Sequence, residues 1–256
     1  MPELAWLLAI LAGSLVGFSL GLVGGGGSIL AVPLLVYVVG VTDPHVAIGT
    51  SAVAVAFNAA ANLIPHARKG NVKWRCAAVF AGSGIVGALG GAFVGQQIEG
   101  GRLLSLFAVL MIVVGALMLI RRNGEGSPDV RLGRDNFPRL VGGGLGTGLL
   151  SGFFGTGGGF LIVPGLVWAT GMPIRLAMAS SLVAVTAFGV TTSASYAVSG
   201  NVNWVIAALF IGGGVVGGLF GGQLAGKLAR TRGALNVLFS LLIFVVAAYV
   251  LYRSLG

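Results

Sequence analysis

Apolar runs of roughly 20 residues follow one another along the whole chain, with short polar stretches between them. The first half has five such segments, at about 4–23, 28–41, 45–65, 74–98 and 103–120. After a hydrophilic stretch, the second half has five more, at about 139–154, 158–171, 175–197, 204–226 and 233–252. A helix of about 20 apolar residues crosses the hydrocarbon core of a bilayer. Because the runs do not alternate polar with apolar, as barrel strands do, they predict an all-α polytopic membrane protein.

The second half repeats the first. Matched residues lie 130 or 131 positions apart, in the pairs Pro33 and Pro164, Thr50–Ser51 and Ser180–Ser181, and Gly70–Trp74 and Gly200–Trp204. The repeat divides one integral membrane domain into a first membrane repeat (1–120), a hydrophilic linker (121–138) and a second membrane repeat (139–256).

Basic residues indicate how the repeats are oriented. They concentrate in loop 66–73 of the first repeat, in the linker and in loop 227–232 of the second, and these loops are not equivalent positions. Basic loops face the cytoplasm, so the pattern predicts inverted repeats with a cytoplasmic linker and both termini outside. Segments 28–41 and 158–171 are short, about 21 Å as helix, and either cross fully or form re-entrant hairpins after the Gly-rich breaks. The inversion follows in both cases.

Composition narrows the function. Hydrophobic residues make up 56% of the chain and charged residues 8%, with a mean hydropathy of +1.01. The formal charge of +9 comes from short loops between apolar runs, so the expected partner is the lipid bilayer and not a nucleic acid. A positive pore mouth would enrich small anions. Two histidines and the single Cys76 offer no set of catalytic groups, so we expect no enzyme, no metal site and no cofactor.

Two Gly-rich breaks occupy corresponding places in the repeats, and such interruptions point to the substrate site of a secondary transporter. Glycines let backbone N–H groups converge on an anion at the start of a helix. The alternative is that they permit a tight turn and close packing. Pro33 and Pro164 follow the breaks and are predicted to kink their helices. The candidate binding residues are Gly24, Gly25, Gly26, Gly27 and Ser28 in the first repeat, and Gly155, Thr156, Gly157, Gly158 and Gly159 in the second.

Polar residues inside the third segment of each repeat are further candidates, because polar groups in lipid are costly unless they are paired or face a cavity. Asn58 and Asn62 lie one helical turn apart on one face and are predicted to line a path. The hydroxyl residues Thr50, Ser51, Ser180 and Ser181 are weaker candidates, because Ser and Thr also satisfy themselves against their own helix.

Three other features are expected to have plain structural roles. His45 and His66 lie at segment ends, where interfacial residues are common. Two G-x-G-x-x-G matches, at 82–87 and 212–217, fall inside membrane segments, whereas a dinucleotide fingerprint must follow a strand. Glycines at four-residue spacing in the same segments predict close helix packing, at Gly87, Gly91 and Gly95 and at Gly214, Gly218 and Gly222.

The doubled motif GLVGGGGSILAVPLL and GFFGTGGGFLIVPGL, with a GNV(K/N)W loop in each half, resembles the sulfite exporter TauE/SafE family of bacterial membrane transporters. The likeness covers nearly the whole chain. It implies transport of small sulfur-containing anions, such as sulfite, thiosulfate, sulfoacetate or other sulfonates, across the cytoplasmic membrane. It places the family motif on Gly24–Ser28 with Pro33 and on Gly155–Gly159 with Pro164. The two breaks differ, since Thr156 and Gly159 stand where the first repeat has Gly25 and Ser28.

Other interpretations stay open at this point. A channel or facilitator for a small neutral solute, or for another small anion, would have a similar pattern. A non-transporting assembly factor would require a stable partner and would tolerate changes at Asn58 or at the breaks. The sequence leaves open which anion moves, in which direction, with which coupling ion, and whether the chain forms a homodimer.

Overall fold

The computed structural model describes residues 2–120, 127, 130–155 and 159–228, together with positions 244, 245, 247 and 248. Regular structure in these residues is helical throughout. The last predicted segment, 233–252, lies almost wholly outside them. The elements are, in chain order, α1 (Pro2–Val23), a 3₁₀ segment (Gly24–Leu30), α2 (Ala31–Leu34), a π-helical turn (Leu35–Val39), α3 (Pro44–Arg68), α4 (Trp74–Gly95), α5 (Gly100–Ile120), α6 (Phe137–Phe154), α7 (Gly159–Thr170), α8 (Ile174–Val198) and α9 (Trp204–Leu228).

The structure contains helices with the length and composition of membrane spans, as the sequence predicted. Large apolar side chains cover the outside of the bundle, including Phe93 (68% exposed) and Leu219 (62%), and this surface suits lipid. In the described part of the chain, five helical stretches are long and apolar enough to cross a bilayer, namely Glu3–Val39, Pro44–Arg68, Trp74–Gly95, Ile174–Val198 and Trp204–Leu224.

The chain reverses direction at the start of each Gly-rich break. Gly24 has a φ of +67° and Gly155 a φ of +64°, in the left-handed region that glycine occupies without steric cost. Gly27 then packs against the backbone of Ser19 and Leu20, so the chain after Gly24 runs back along α1. In the second repeat the returning helix α7 has 12 residues, about 18 Å, which is too short to cross a ~30 Å hydrocarbon core.

Glycine contacts join helices from different halves. Helices α1 and α9 run parallel, because Gly13 meets Phe210 and Gly17 meets Gly214. Helices α4 and α6 also run parallel, with glycines against backbone all along their contact. Since α1 corresponds to α6 and α4 to α9 in the sequence repeat, each pair is the counterpart of the other. The predicted packing role is confirmed at Gly87, Gly91, Gly95, Gly214 and Gly218, whereas Gly222 has no neighbour within 4 Å of an added Cβ.

Helices α3 and α8 are counterparts and cross the bundle in opposite directions. Gly49 lies against Tyr196, whereas further along α3 Ala56 lies against Gly189, so the two helices are antiparallel. The end of the bundle with loop 69–73 is called the basic face below, and the end with loop 199–203 the opposite face. Helix α3 runs from the opposite face to the basic face.

Candidate functional site

The first Gly-rich segment meets the second one inside the bundle. All of Gly24–Leu30 is buried, and a Cβ on Gly159 would overlap the backbone of Gly25. The Gly25 N–H donates to Ser181 Oγ (3.1 Å), and Ser28 Oγ donates to the Gly25 carbonyl (3.0 Å). Gly25, Gly159 and Ser181, three candidates from different segments, are therefore brought together. We call this contact the glycine junction. The Gly25 N–H and the Ser28 hydroxyl each have a protein partner there.

The two reversals rest on matching neighbours in the third helix of the other repeat. Gly24 lies against the backbone of Met178 on α8, and Gly155 against the side chain of Ile48 on α3. Met178 and Ile48 are 130 residues apart, so the two contacts are equivalent. Thr156, Gly157 and Gly158 lie outside the described residues.

The predicted kinks fall in helices of different form. Pro33 lies in the four-residue helix α2, directly before the π-helical turn, so the backbone around it departs from α geometry on both sides. Pro164 lies inside α7. A third proline, Pro65, lies inside the last turn of α3, and it was not among the predicted kinks.

The hydroxyl candidates Thr50 and Ser180 anchor loops at the two ends of the bundle. Ser180 Oγ accepts from the Lys73 N–H at the basic face, and Thr50 Oγ1 accepts from the Asn203 N–H at the opposite face, both at 2.9 Å. The two bonds are counterparts under the repeat. Ser51 donates to the Ile48 carbonyl one turn back (2.9 Å). These contacts hold loops and helix starts in place.

Asn58 and Asn62 lie apart from the glycine junction, on the side of α3 that faces α9. Gly214 and Gly218 leave the space that these two side chains occupy. Asn62 Nδ2 donates to the Asn58 carbonyl (2.8 Å). Asn58 is fully buried, and neither its Nδ2 nor its Oδ1 has a hydrogen-bond partner. Buried polar groups are nearly always paired, so this unpaired amide is an exception.

Several buried polar groups were not among the predicted site residues. In the described residues, unpaired buried atoms besides those of Asn58 belong to His45, His66, Ser151, Thr192 and Tyr196. Asn58, Asn62 and His66 are spaced four residues apart along α3, so the sequence could have placed His66 on the same helix face as the asparagines. It was not grouped with them because the predicted segment ended at residue 65, whereas α3 continues to Arg68.

Charge differs between the buried interior and the basic face. None of the buried side chains in the described residues is charged. At the basic face, a groove of about 400 Å³ is lined by Lys73, Arg75 and Arg131 among others, so anions are favoured near this end of the bundle. Among the described residues, His, Cys, Asp and Glu form no group of three that could hold a metal ion.

Comparison with known proteins gives a consistent picture. Residues 9–250 match the model of the sulfite exporter TauE/SafE family. The chain is 52% identical over 252 residues to a "Probable membrane transporter protein" of Xylella fastidiosa (strain Temecula1), covering 97% of this chain and 95% of that one. It is 27% identical over 232 residues to the probable membrane transporter protein YunE of Bacillus subtilis, covering 82% and 85%. No solved structure gives a significant match.

Proposed function

Since the chain belongs to the sulfite exporter TauE/SafE family of membrane transporters, we propose that it is a secondary transporter for small sulfur-containing anions such as sulfite, thiosulfate, sulfoacetate or other sulfonates. It would work in a bacterial cytoplasmic membrane. The observation that carries the proposal is the glycine junction, where the interrupted segments of both repeats meet at Gly25 and Gly159. Interrupted helices that meet at a repeat interface are where secondary transporters bind their substrates.

An inverted repeat is part of the proposal. Its support is that the counterpart helices α3 and α8 are antiparallel, as equivalent helices of inverted repeats must be. The parallel pairs α1–α9 and α4–α6 also agree with an inverted repeat. In such a fold, the two helices of each pair cross the membrane in the same direction. With the basic face in the cytoplasm, both termini would be outside. Alternating access would then be a movement of one repeat against the other.

The substrate would bind beside the glycine junction through backbone N–H groups at the two helix starts. The Gly25 N–H already donates to Ser181, so the donors for the anion would be other N–H groups in the first turn of each short helix. The positive ends of the short helices favour negative charge there. The lack of buried charge in the described residues leaves no fixed carboxylate to repel an anion.

Flux of labelled sulfite into proteoliposomes tests the proposal. The purified protein should give saturable uptake that thiosulfate or sulfoacetate inhibits and that an imposed pH gradient or potential alters. Absence of uptake and of competition, from protein that elutes as a folded species, would show that the substrate class is wrong. Flux that ignores both the potential and competing anions would instead indicate a channel or facilitator for a small neutral solute.

A further inference from the structure

A separate cavity of about 200 Å³ lies between α3 and α9, near the basic face. Its wall includes Asn62 and His66 of α3 with Lys69 after the helix, and on the other side Gly218 and Gln223 of α9. Lys69 is exposed and follows the last residue of α3, whereas Asn62 is only 7% exposed. The cavity therefore leads from a charged rim at the end of the bundle to a buried amide.

The lining is mostly apolar and includes four polar side chains, those of Asn62, His66, Lys69 and Gln223. Side-chain amides, an imidazole and an ammonium group all donate, and no carboxylate belongs to the lining. Asn62 uses one proton of its Nδ2 on the Asn58 carbonyl, which leaves the second proton. Asn58 lies one turn deeper with both amide atoms unpaired. An oxyanion would accept hydrogen bonds from these donors, and no carboxylate in the lining would repel it.

The side-chain amides at Asn58 and Asn62 belong to one repeat only. At the positions 130 residues later, the second repeat has Phe188, Thr192 and Tyr196 on α8 and Ser199 directly after it, in place of Asn58, Asn62, His66 and Lys69. The buried hydroxyls of Thr192 and Tyr196 are also unpaired. The helix contact at this position is present in both repeats. Phe188 packs on Gly84 of α4, and Asn58 packs on the equivalent Gly214 of α9. The second repeat therefore has an aromatic contact where the first has an unpaired amide. A shared fold alone would not require the asparagines, so they point to a role specific to this end of the bundle.

We propose that this cavity binds a small oxyanion at the basic face, with Asn62, His66 and Lys69 as its contacts. The inference rests on the proposed function and adds to it a second anion site, which exists on one side of the bundle only. A water molecule takes about 30 Å³ of liquid volume, so the cavity has room for an anion of four or five heavy atoms and a few waters. Lys69 at the rim attracts the anion, and Asn62 binds it inside.

Binding of labelled sulfite to the detergent-purified protein, by equilibrium dialysis, tests this site. Asn62→Leu keeps the size of the side chain and removes the donor, so the affinity should fall between about tenfold and a hundredfold, as for a lost hydrogen bond to a charged group. Lys69→Gln should lower the affinity and weaken its dependence on salt. Thr192→Val, at the matched position of the second repeat, should bind like the wild type. Phosphate, acetate and chloride as competitors distinguish a site for sulfur oxyanions from a general oxyanion site.

The outcomes separate the cavity from the transport proposal. If the wild type binds and transports sulfite and both Asn62→Leu and Lys69→Gln match it in affinity, the cavity is not an anion site, while the transport proposal stands. Lys69 is exposed, so Lys69→Gln still tests the site if Asn62→Leu fails to fold. If the wild type shows no sulfite flux but phosphate or acetate binds and the two variants weaken that binding, the proposed substrate is wrong and the cavity site stands. Equal loss of affinity in Thr192→Val would overturn the one-sided site.

Discussion

Gly159→Ala should damage the glycine junction. The added Cβ would overlap the Gly25 carbonyl and lie 2.7 Å from Gly25 Cα, whereas carbon atoms in contact prefer about 3.5–4.0 Å. The neighbours are backbone atoms, which cannot rotate away, so the two segments must separate by roughly 1 Å.

Overpacking of this kind costs about 1–3 kcal/mol, and the upper end applies because both partners are main chain. Alanine recovers up to ~1 kcal/mol of helix propensity over glycine, since Gly159 is not among the positive-φ glycines. The net loss of about 2 kcal/mol corresponds to a melting temperature lower by about 4–8 °C. A displacement of about 1 Å in binding groups can cost ~100-fold in function, so we expect sulfite uptake to fall at least about tenfold.

The assay pairs thermal unfolding of the purified protein with proteoliposome uptake. Gly82→Ala on α4 is the matched control, because an added Cβ there has no neighbour within 4 Å, and both its melting temperature and its uptake should be retained. A Gly159→Ala protein with the melting temperature and uptake of the wild type would refute the close approach of the two segments and, with it, the reasoning that locates the substrate site there.

Three further predictions test other contacts. Ser181→Ala leaves a buried backbone N–H without its acceptor and should cost about 1–3 kcal/mol; an unchanged melting temperature would contradict that hydrogen bond. Thr50→Val and Ser180→Ala each free one loop N–H at opposite ends of the bundle, so their effects of about 1 kcal/mol each should add, and strong coupling in the double variant would argue against separate anchors. Gly217→Leu puts a side chain against the α1 backbone and should reduce the yield of folded protein in size-exclusion chromatography, whereas Gly212→Leu, with open space around it, should not.

The sequence predicted the helices in the described residues well, because helices leave local signals. Apolar runs have the length that the bilayer demands, and Gly24 and Gly155 mark the points where the chain must take a left-handed conformation. The spacing of Gly87, Gly91 and Gly95 likewise indicated a packing surface. Such features depend on residues near each other in the chain.

Contacts between residues that are far apart in the chain could not be predicted from the sequence. Nothing near Gly25 indicates that Ser181, 156 residues later, accepts its N–H. His66 was expected to be interfacial, and it lines the cavity only because α9 packs beside α3 at that level. The hydroxyls of Thr50 and Ser180 were candidates for the path, and in the folded chain they accept hydrogen bonds from loops of the other repeat.

The pairing of α1 with α9 also bears on how the protein is made. Gly13 and Gly17 of α1 meet a helix that is synthesised about 200 residues later, which takes roughly 10–40 s at 5–20 residues per second. Helix α6 follows its partner α4 much sooner. During translation α1 would therefore lie in the bilayer without α9 against its glycines, at a time when α4 and α6 have both been synthesised. We therefore expect closure of the bundle to follow insertion of α9, so that α1 is the element that a membrane chaperone or a quality-control protease would find unassembled.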